Sequence, residues 1–561
     1  MNRRSWWWLA ASIAALALVS SVSSVTNGFA YDDVYLLVKN PDRMQTLAAL
    51  WREFAHTYWP ETAGGDGYRP LTIILFRLEW AIGNGSPLAF HVTNVALHAA
   101  TAIVVFWLAC GVLPLGAAWI TAALYAVHPV HVEAIANVVG QSELWVALLV
   151  SAAVGVFIHG RLAGPLSWRR WVAIGALYAG ACLFKEHAIV LPALLLLAEA
   201  TLVTDKTPLR KRMTALRVPM LCLAVVALTY MLVRSRVVVA GLAGFQPYVV
   251  FSALKLSTPD RILTMIGAVP EWVRLFLWPA RLMTEYAPPY IDIAQGPGVA
   301  QLPGLLMLIG VIGLFAACWR RSPATSFGIG WLVVALLPAS NFLVPAGFII
   351  AERTLLLPSV GAMLAVGSAA PWLYAKLEDK RVAQAIAALV LAAAIGLGVA
   401  RSYTRNPVWR DNEALFRQQV KESPESYRAH FMLGQLLFEK QRKTEGEAHY
   451  RHALKLFPYD PVMALGLAEQ YRQAGMCEPA IMMYRWLYSI EPRATGGHGG
   501  FALCLLYTLK LDEAREQALL SIRYGGNVRD ARGVILAAKQ ARDSLAVRQA
   551  GGRLPPHSSS Q

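Results

Sequence analysis

Charge is what this 561-residue chain has least of. Asp and Glu number 35 and Lys and Arg 51, together 15% of the residues, where a soluble domain carries about 25%. So low a fraction, beside 56% hydrophobic residues and a mean hydropathy of +0.44, excludes a disordered chain, a coiled coil and a cytosolic α/β enzyme. Cysteine is scarce as well. Cys110, Cys182, Cys222 and Cys318 lie in or beside apolar runs, and Cys477 and Cys504 lie near the end. Six scattered cysteines exclude a disulfide framework and read as thiols. The net charge of +16 does not indicate nucleic acid, because many of the cations sit in short loops between apolar runs, where they encode membrane topology.

What the chain has is long apolar runs. A bilayer core takes about 20 apolar residues per helix. Eleven candidate runs begin near Trp6, Phe90, Leu113, Leu144, Trp171, Ala188, Val218, Leu302, Phe327, Thr354 and Val382. The first reads as an uncleaved signal anchor, since it lacks a small-residue cleavage site. With the N-terminus cytoplasmic, fifteen Lys and Arg fall in inside segments and two in outside short loops, Lys185 and Arg353. Each exception stands beside a Glu, as Lys185-Glu186 and Glu352-Arg353. Two outside segments are long, about Thr26 to Leu88 and Arg234 to Gln301. The second carries an apolar stretch, Ile262 to Trp278, read as an interfacial or re-entrant helix.

Beyond Arg401 the apolar runs stop. Pro424, Pro458 and Pro492 are 34 residues apart, as are Leu433, Leu467 and Phe501, and Gly434, Ala468 and Ala502. This period, with small residues at helix contacts, reads as two tetratricopeptide repeats and a degenerate third. The expected division is a membrane domain at 1–405, a repeat domain at 406–540 and a disordered tail at 541–561. The fold class is all-α: a polytopic membrane domain of about eleven spans, then an α-solenoid.

Candidate chemistry lies on the outside. Asp32 and Asp33 stand just past the first span, where one carboxylate can act as general base and each raises the other's pKa; a solvated turn is the plainer alternative. Arg69 places a guanidinium near the interface. His91, Asn94 and His98 share one face of the second span, as interhelical or acceptor-side groups. His128, His131 and Glu133 cluster at the end of the third span. Two His and one Glu with no further ligand set by spacing argue against a metal. Lys185 and Arg353, each beside its Glu, are either simple ion pairs or a site for an anionic lipid group.

The segments "FAYDD…N", "YRPL…FR", "H..N..LH", "HPVHVEA…G..E", "KE" and "AER…LPSVG", followed by the repeats, resemble the transmembrane and tetratricopeptide-repeat family of O-mannosyltransferases. The resemblance covers about residues 1 to 525. It implies a bacterial-type relative with a GT-C fold, in the inner (plasma) membrane, with repeats and active site extracytoplasmic. The implied activity is transfer of a sugar, mannose by analogy, from a polyprenyl-phosphate donor to a hydroxyl acceptor, with no nucleic acid and no firm cofactor. It makes Asp32 and Asp33 catalytic. Lys185, Glu186, Glu352, Arg353 and Arg69 become donor-phosphate residues. His91, His98, His128, His131 and Glu133 lie near the substrate, and the repeats bind an acceptor protein or glycan. Two departures bear on the donor: Thr354 to Leu356 stand where relatives often have Tyr before Leu-Pro-Ser, and Gln141 stands where an Arg is common. The alternative is a non-catalytic membrane scaffold presenting repeats for envelope assembly.

Overall fold

The computed structural model describes residues 3–60, 66–205, 207–238, 249–377 and 380–549, and among these every regular element is helical. They fall into two compact units, Met1–Tyr248 with Ser257–Pro424, and Val249–Leu256 with Glu425–Gln561.

The first unit is a helical bundle: α1 (Arg3–Ser21), α2 (Pro70–Gly83), α3 (Pro87–Cys110), α4 (Leu115–Val127), α5 (Val132–Ala136), α6 (Gln141–Arg161), α7 (Trp168–Phe184), α8 (Leu191–Thr201), α9 (Arg217–Val237), α10 (Thr258–Leu277), α11 (Leu302–Cys318), α12 (Pro323–Leu336), α13 (Leu356–Lys376), α14 (Arg381–Arg405) and α15 (Asn412–Glu422). In lipid a helix is favoured because it satisfies its own backbone polar groups. Several helices open on Pro, whose missing N–H would be unpaired there anyway; Pro70, Pro87 and Pro323 do so. Among the described residues seven helices are long and apolar enough to cross a membrane, or eight if the pair bent by 47° at His128 is one span. The other three expected runs lie on shorter helices: α7 with 17 residues, α8 with 11 and α12 with 14.

The stretch around Ile262 to Trp278 forms one amphipathic helix, α10, continuous through Pro270, with Thr264, Met265, Ala268, Val269, Trp272 and Leu275 on its buried face. Pro270 cannot donate to the Ile266 carbonyl. That oxygen is where α11 crosses, so close that a Cβ on Gly304 would lie 1.8 Å from it. Gly304 is also the one fully buried residue of α11, most of whose other side chains are exposed, as on a lipid-facing helix. A second close crossing joins α12 and α13. A Cβ on Gly361 would meet the Gly328 oxygen at 2.4 Å, and one on Gly328 would meet the Gly361 oxygen at 2.5 Å. The glycine of "LPSVG" is therefore a packing residue.

Residues 406–424, assigned from sequence to the repeat domain, belong with the membrane unit. Arg405 Nη1 reaches Glu422 on α15 at 2.6 Å, and Asn406 Nδ2 donates to the Ser20 carbonyl at 2.8 Å. The composition changes at Arg401, but the packing does not.

The second unit consists of helical hairpins: α16 (Tyr427–Glu439) with α17 (Lys443–Leu456), α18 (Pro461–Gln473) with α19 (Cys477–Ile490), and α20 (His498–Tyr507) with α21 (Leu511–Arg523), then α22 (Val528–Gln549). The helices repeat at the spacing read from the sequence, and Leu433, Leu467, Phe501, Tyr450 and Tyr484 are buried. The N-caps repeat too: Ser426 accepts from Ala429 N and Asp460 from Val462 N and Met463 N. Tyr427 OH donates to Asp460 at 2.8 Å, tying the first hairpin to the second. In the third hairpin Ala494 stands at the cap position, and α20 starts only after Gly497, at φ +88°. Residues 541–549, expected in the disordered tail, continue α22; the tail from 550 lies outside the described residues.

Candidate active site

The chain after α1 is fixed before it reaches the acidic pair. Gly28 N donates to Arg410 O at 2.9 Å, and His91 Nε2 donates to Gly28 O at 3.1 Å. Tyr31 then adopts φ +57°, and the two carboxylates part. Asp33 is completely buried and accepts from Val139 N at 2.9 Å, Val138 N at 3.2 Å and Ala30 N at 3.3 Å. Burial pushes its pKa up to about 7, despite those three donors. Asp33, expected as a catalytic partner, pins the loop to the turn before α6. Asp32 keeps its side chain 23% exposed and faces Arg353 Nη2 at 3.8 Å. Burial raises its pKa above the ordinary aspartate range against the pull of Arg353, and Glu285 adds to the rise.

The cations converge on the same end of the bundle. Arg353, at the entry to α13, holds Glu133 with both Nη1 and its backbone N. Arg69 forks onto Glu186, with Nε at 3.1 Å and Nη2 at 2.8 Å, and its guanidinium lies over the Tyr58 ring. Lys185 reaches Glu143 rather than its neighbour Glu186, and His187 faces the other Glu143 oxygen at 3.2 Å. Burial lowers the Lys185 pKa, with Glu143 opposing that shift. For Glu186 burial acts upward, but Arg69, Lys185 and a backbone hydrogen bond together outweigh it and hold the carboxyl well below the usual range.

Several expected site residues have other work. Glu352, expected at the donor phosphate, accepts from Met283 N at 2.5 Å and Tyr286 OH at 2.7 Å, and so organises the loop that carries them. His91, as above, braces Gly28. His98 donates to Ala126 O at 2.9 Å and His128 to Phe276 O at 3.1 Å. His131 bonds Ser359 Oγ at 2.8 Å. Through these bonds the histidines, expected near the substrate, brace backbone or another helix. With Glu133 committed to Arg353, the His128, His131 and Glu133 group has no shared point for an ion, and among the described residues no set of three or more His, Cys, Asp or Glu is placed to hold one. Gln141, where an Arg was expected, is buried and donates to Glu79 at 2.8 Å and Asn94 at 3.1 Å.

Three residues escaped the sequence reading. Glu143 was visible only as the last letter of "G..E", because its partner Lys185 is 42 positions away. Tyr31 was visible in "FAYDD" without a partner. Glu285 lies in a long loop with no local signal, yet accepts from Tyr31 OH at 2.5 Å.

With this geometry described, the known proteins most informative for comparison are protein O-mannosyl-transferases. TMTC3 of Mus musculus is 24% identical over 505 residues, covering 85% of this chain and 54% of that one. TMTC4 of Homo sapiens is 28% identical over 501 residues, covering 79% and 66%. These proteins are homologues of this chain. The motif resemblance thus extends to whole-sequence similarity, although the chain spans little more than half to two thirds of these O-mannosyl-transferases' own length. No protein-family model matches it. An oligosaccharyltransferase of Archaeoglobus fulgidus, solved with a tethered acceptor peptide, aligns at a TM-score of 0.45 and 13% identity over 82% of this chain and 60% of that one.

Proposed function

We propose that this chain is a membrane glycosyltransferase that moves a sugar, mannose in the first instance, from a polyprenyl-phosphate donor to a hydroxyl acceptor, in the first instance on a protein. The reaction takes place on the face of the membrane opposite the N-terminus. The observation that carries this reading is the placement of Asp32: a partly exposed carboxylate at the end of a helical bundle that no guanidinium grips at hydrogen-bond distance, with Arg353 at 3.8 Å and Lys185 and Arg69 also acting on it, whereas Glu186, as exposed, is held by Arg69 at 2.8 Å. A hydroxyl is a weak nucleophile, and proton removal by a positioned carboxylate contributes about 10²–10⁴-fold in rate. Fixed cations beside that base stabilise the leaving phosphate as its charge develops. Arg353 is the best placed to do so. Lys185 and Arg69 supply further positive charge, each steadied by its own buried or half-buried Glu.

The membrane face supports a lipid-linked donor. A cavity of about 550 Å³ lies between α7 and α9, lined by Phe54, Cys182, Leu183, Val226 and Val233, and by Tyr68 next to Arg69. An apolar groove of this kind suits a prenyl chain. The similarity to protein O-mannosyl-transferases supports mannose and a protein acceptor, and the helical hairpins of the second unit offer the acceptor-binding surface.

The test is transfer of labelled mannose from polyprenyl-phosphate mannose by the purified full chain, wild type against Asp32→Asn, together with mass spectrometry of envelope proteins and glycans with and without the chain. Loss of transfer in the variant and loss of a hexose mark in its absence support the reading. Equal turnover by both proteins overturns it.

A further inference from the structure

Between α10 and α11 the chain runs past the acidic pair, and from Arg281 to Tyr286 every residue is tied down. Arg281 Nε donates to Glu422 O at 2.6 Å, and Leu282 O accepts from Arg405 Nη2 at 2.8 Å. Met283 N and Tyr286 OH both donate to Glu352 Oε1. Thr284 Oγ1 donates to Gln419 on α15. Glu285 accepts from the Tyr31 hydroxyl at 2.5 Å. A loop fixed at six successive positions presents Glu285, only 7% exposed, as a stationary charge.

Across from it stands Tyr31 in the left-handed region, which a large L side chain rarely adopts and which persists only where surrounding contacts impose it. Three elements supply those contacts. Tyr31 N donates to Asn412 Oδ1 at 2.6 Å, its ring meets Trp409 and Phe416 edge to face, and its hydroxyl is anchored on Glu285. Tyr31 immediately precedes Asp32, so its backbone angles decide where that carboxylate points. The charges acting on Asp32 are Arg353, Lys185 and Arg69 on one side and Glu285 on the other, with Asp33 adjacent and Glu133 behind Arg353.

We propose that Tyr31 and Glu285 are a positioning pair for the transfer reaction: the Tyr31 hydroxyl, anchored on Glu285, holds the left-handed turn that aims Asp32 and keeps the Glu285 carboxylate bound to the residue next to it. This rests on Asp32 being the base. The two jobs separate by substitution. Glu285→Gln keeps an oxygen for the Tyr31 hydroxyl and removes the charge. Tyr31→Phe keeps the charge and removes the bond.

The experiment uses the full chain with polyprenyl-phosphate mannose and a pool of threonine-containing peptides, reading kcat and KM against pH, and amide hydrogen exchange over residues 30–34. In Glu285→Gln the acid limb of the profile moves to lower pH, because the neighbouring negative charge that raises the Asp32 pKa is gone, while exchange stays as in wild type. In Tyr31→Phe kcat falls by about 10- to 10²-fold at unchanged donor KM, as a small misplacement of a reacting group does, and residues 30–34 exchange faster. An unmoved acid limb in Glu285→Gln, or unchanged exchange in Tyr31→Phe, overturns the proposal. Asp32→Asn run alongside separates the failures. If it retains transfer, the base assignment falls, and the exchange measurement alone still decides whether the pair holds the turn.

Discussion

Asp32 and Asp33 are adjacent in sequence, yet the same substitution at each should fail in different ways. In Asp33→Ala the N–H groups of Ala30 and Val138 lose their acceptor inside the fold, while Val139 N keeps Asn137 Oδ1 at 3.2 Å. A buried donor left unpaired costs about 1–3 kcal/mol, so two cost about 2–6 kcal/mol. That is a large part of the roughly 5–15 kcal/mol that holds a typical fold together. Asp33→Asn is milder. Its oxygen can turn to Ala30 and Val138, which share one carboxylate oxygen, and its amide then faces Val139 N, which has Asn137 to fall back on. That amide is itself a donor and is left unpaired, which costs about 1–3 kcal/mol. Asp32→Asn removes a partly exposed contact at 3.8 Å from an Arg353 that keeps Glu133, and a pair of that kind is worth about 0–1 kcal/mol. The assay is thermal melting in detergent beside sugar transfer. Asp32→Asn should melt as wild type and lose transfer by about 10²-fold or more. Asp33→Asn should melt somewhat lower and retain transfer, and Asp33→Ala should melt many degrees lower or express poorly. An Asp33→Asn protein that melts normally but is inactive, paired with an active Asp32→Asn, would refute the division of labour.

Arg353→Lys should raise the donor KM and lower kcat together, because one ammonium cannot hold Glu133 and face Asp32 at once as the guanidinium does; wild-type kinetics would remove Arg353 from the donor site. Gly361→Val should lower the melting midpoint of the membrane unit, since even its Cβ would lie 2.4 Å from the Gly328 oxygen, an overpacking that costs at least about 1–3 kcal/mol. Removing the second unit after Pro424, which leaves α15 in place, should reduce transfer to the natural acceptor more than donor hydrolysis; equal losses in a folded protein would make that unit structural. A reporter fused after Pro424 should be active only where export permits, and a purely cytoplasmic signal would invert the topology.

Much of the architecture was legible before any coordinates. Scarce charge and repeated apolar runs specify a helical membrane protein, because lipid leaves few other ways to satisfy a backbone. The 34-residue spacing of Leu433, Leu467 and Phe501 specifies stacked hairpins, because each helix pair buries the same face. The two cations that the loop-charge count sets apart from the rest, Lys185 and Arg353, marked the charged end of the bundle, because a charge next to apolar runs needs a partner. These are local or periodic signals, and a linear chain displays them directly.

What only the tertiary structure decided is who partners whom. Lys185 looked paired with Glu186 and pairs with Glu143; Glu352 looked paired with Arg353 and serves Met283 and Tyr286. Neighbours in sequence often diverge in space, since a short 3₁₀ turn such as Glu352–Leu355 points successive side chains in different directions. The same holds for Asp32 and Asp33, whose different fates depend on backbone N–H groups more than a hundred residues away. The sequence by itself determined that this is a bundle with a charged end and a repeated helical unit. Which carboxylate is left exposed beside a cation, and which are consumed in holding the loops, was decided by long-range hydrogen bonds that spacing does not encode.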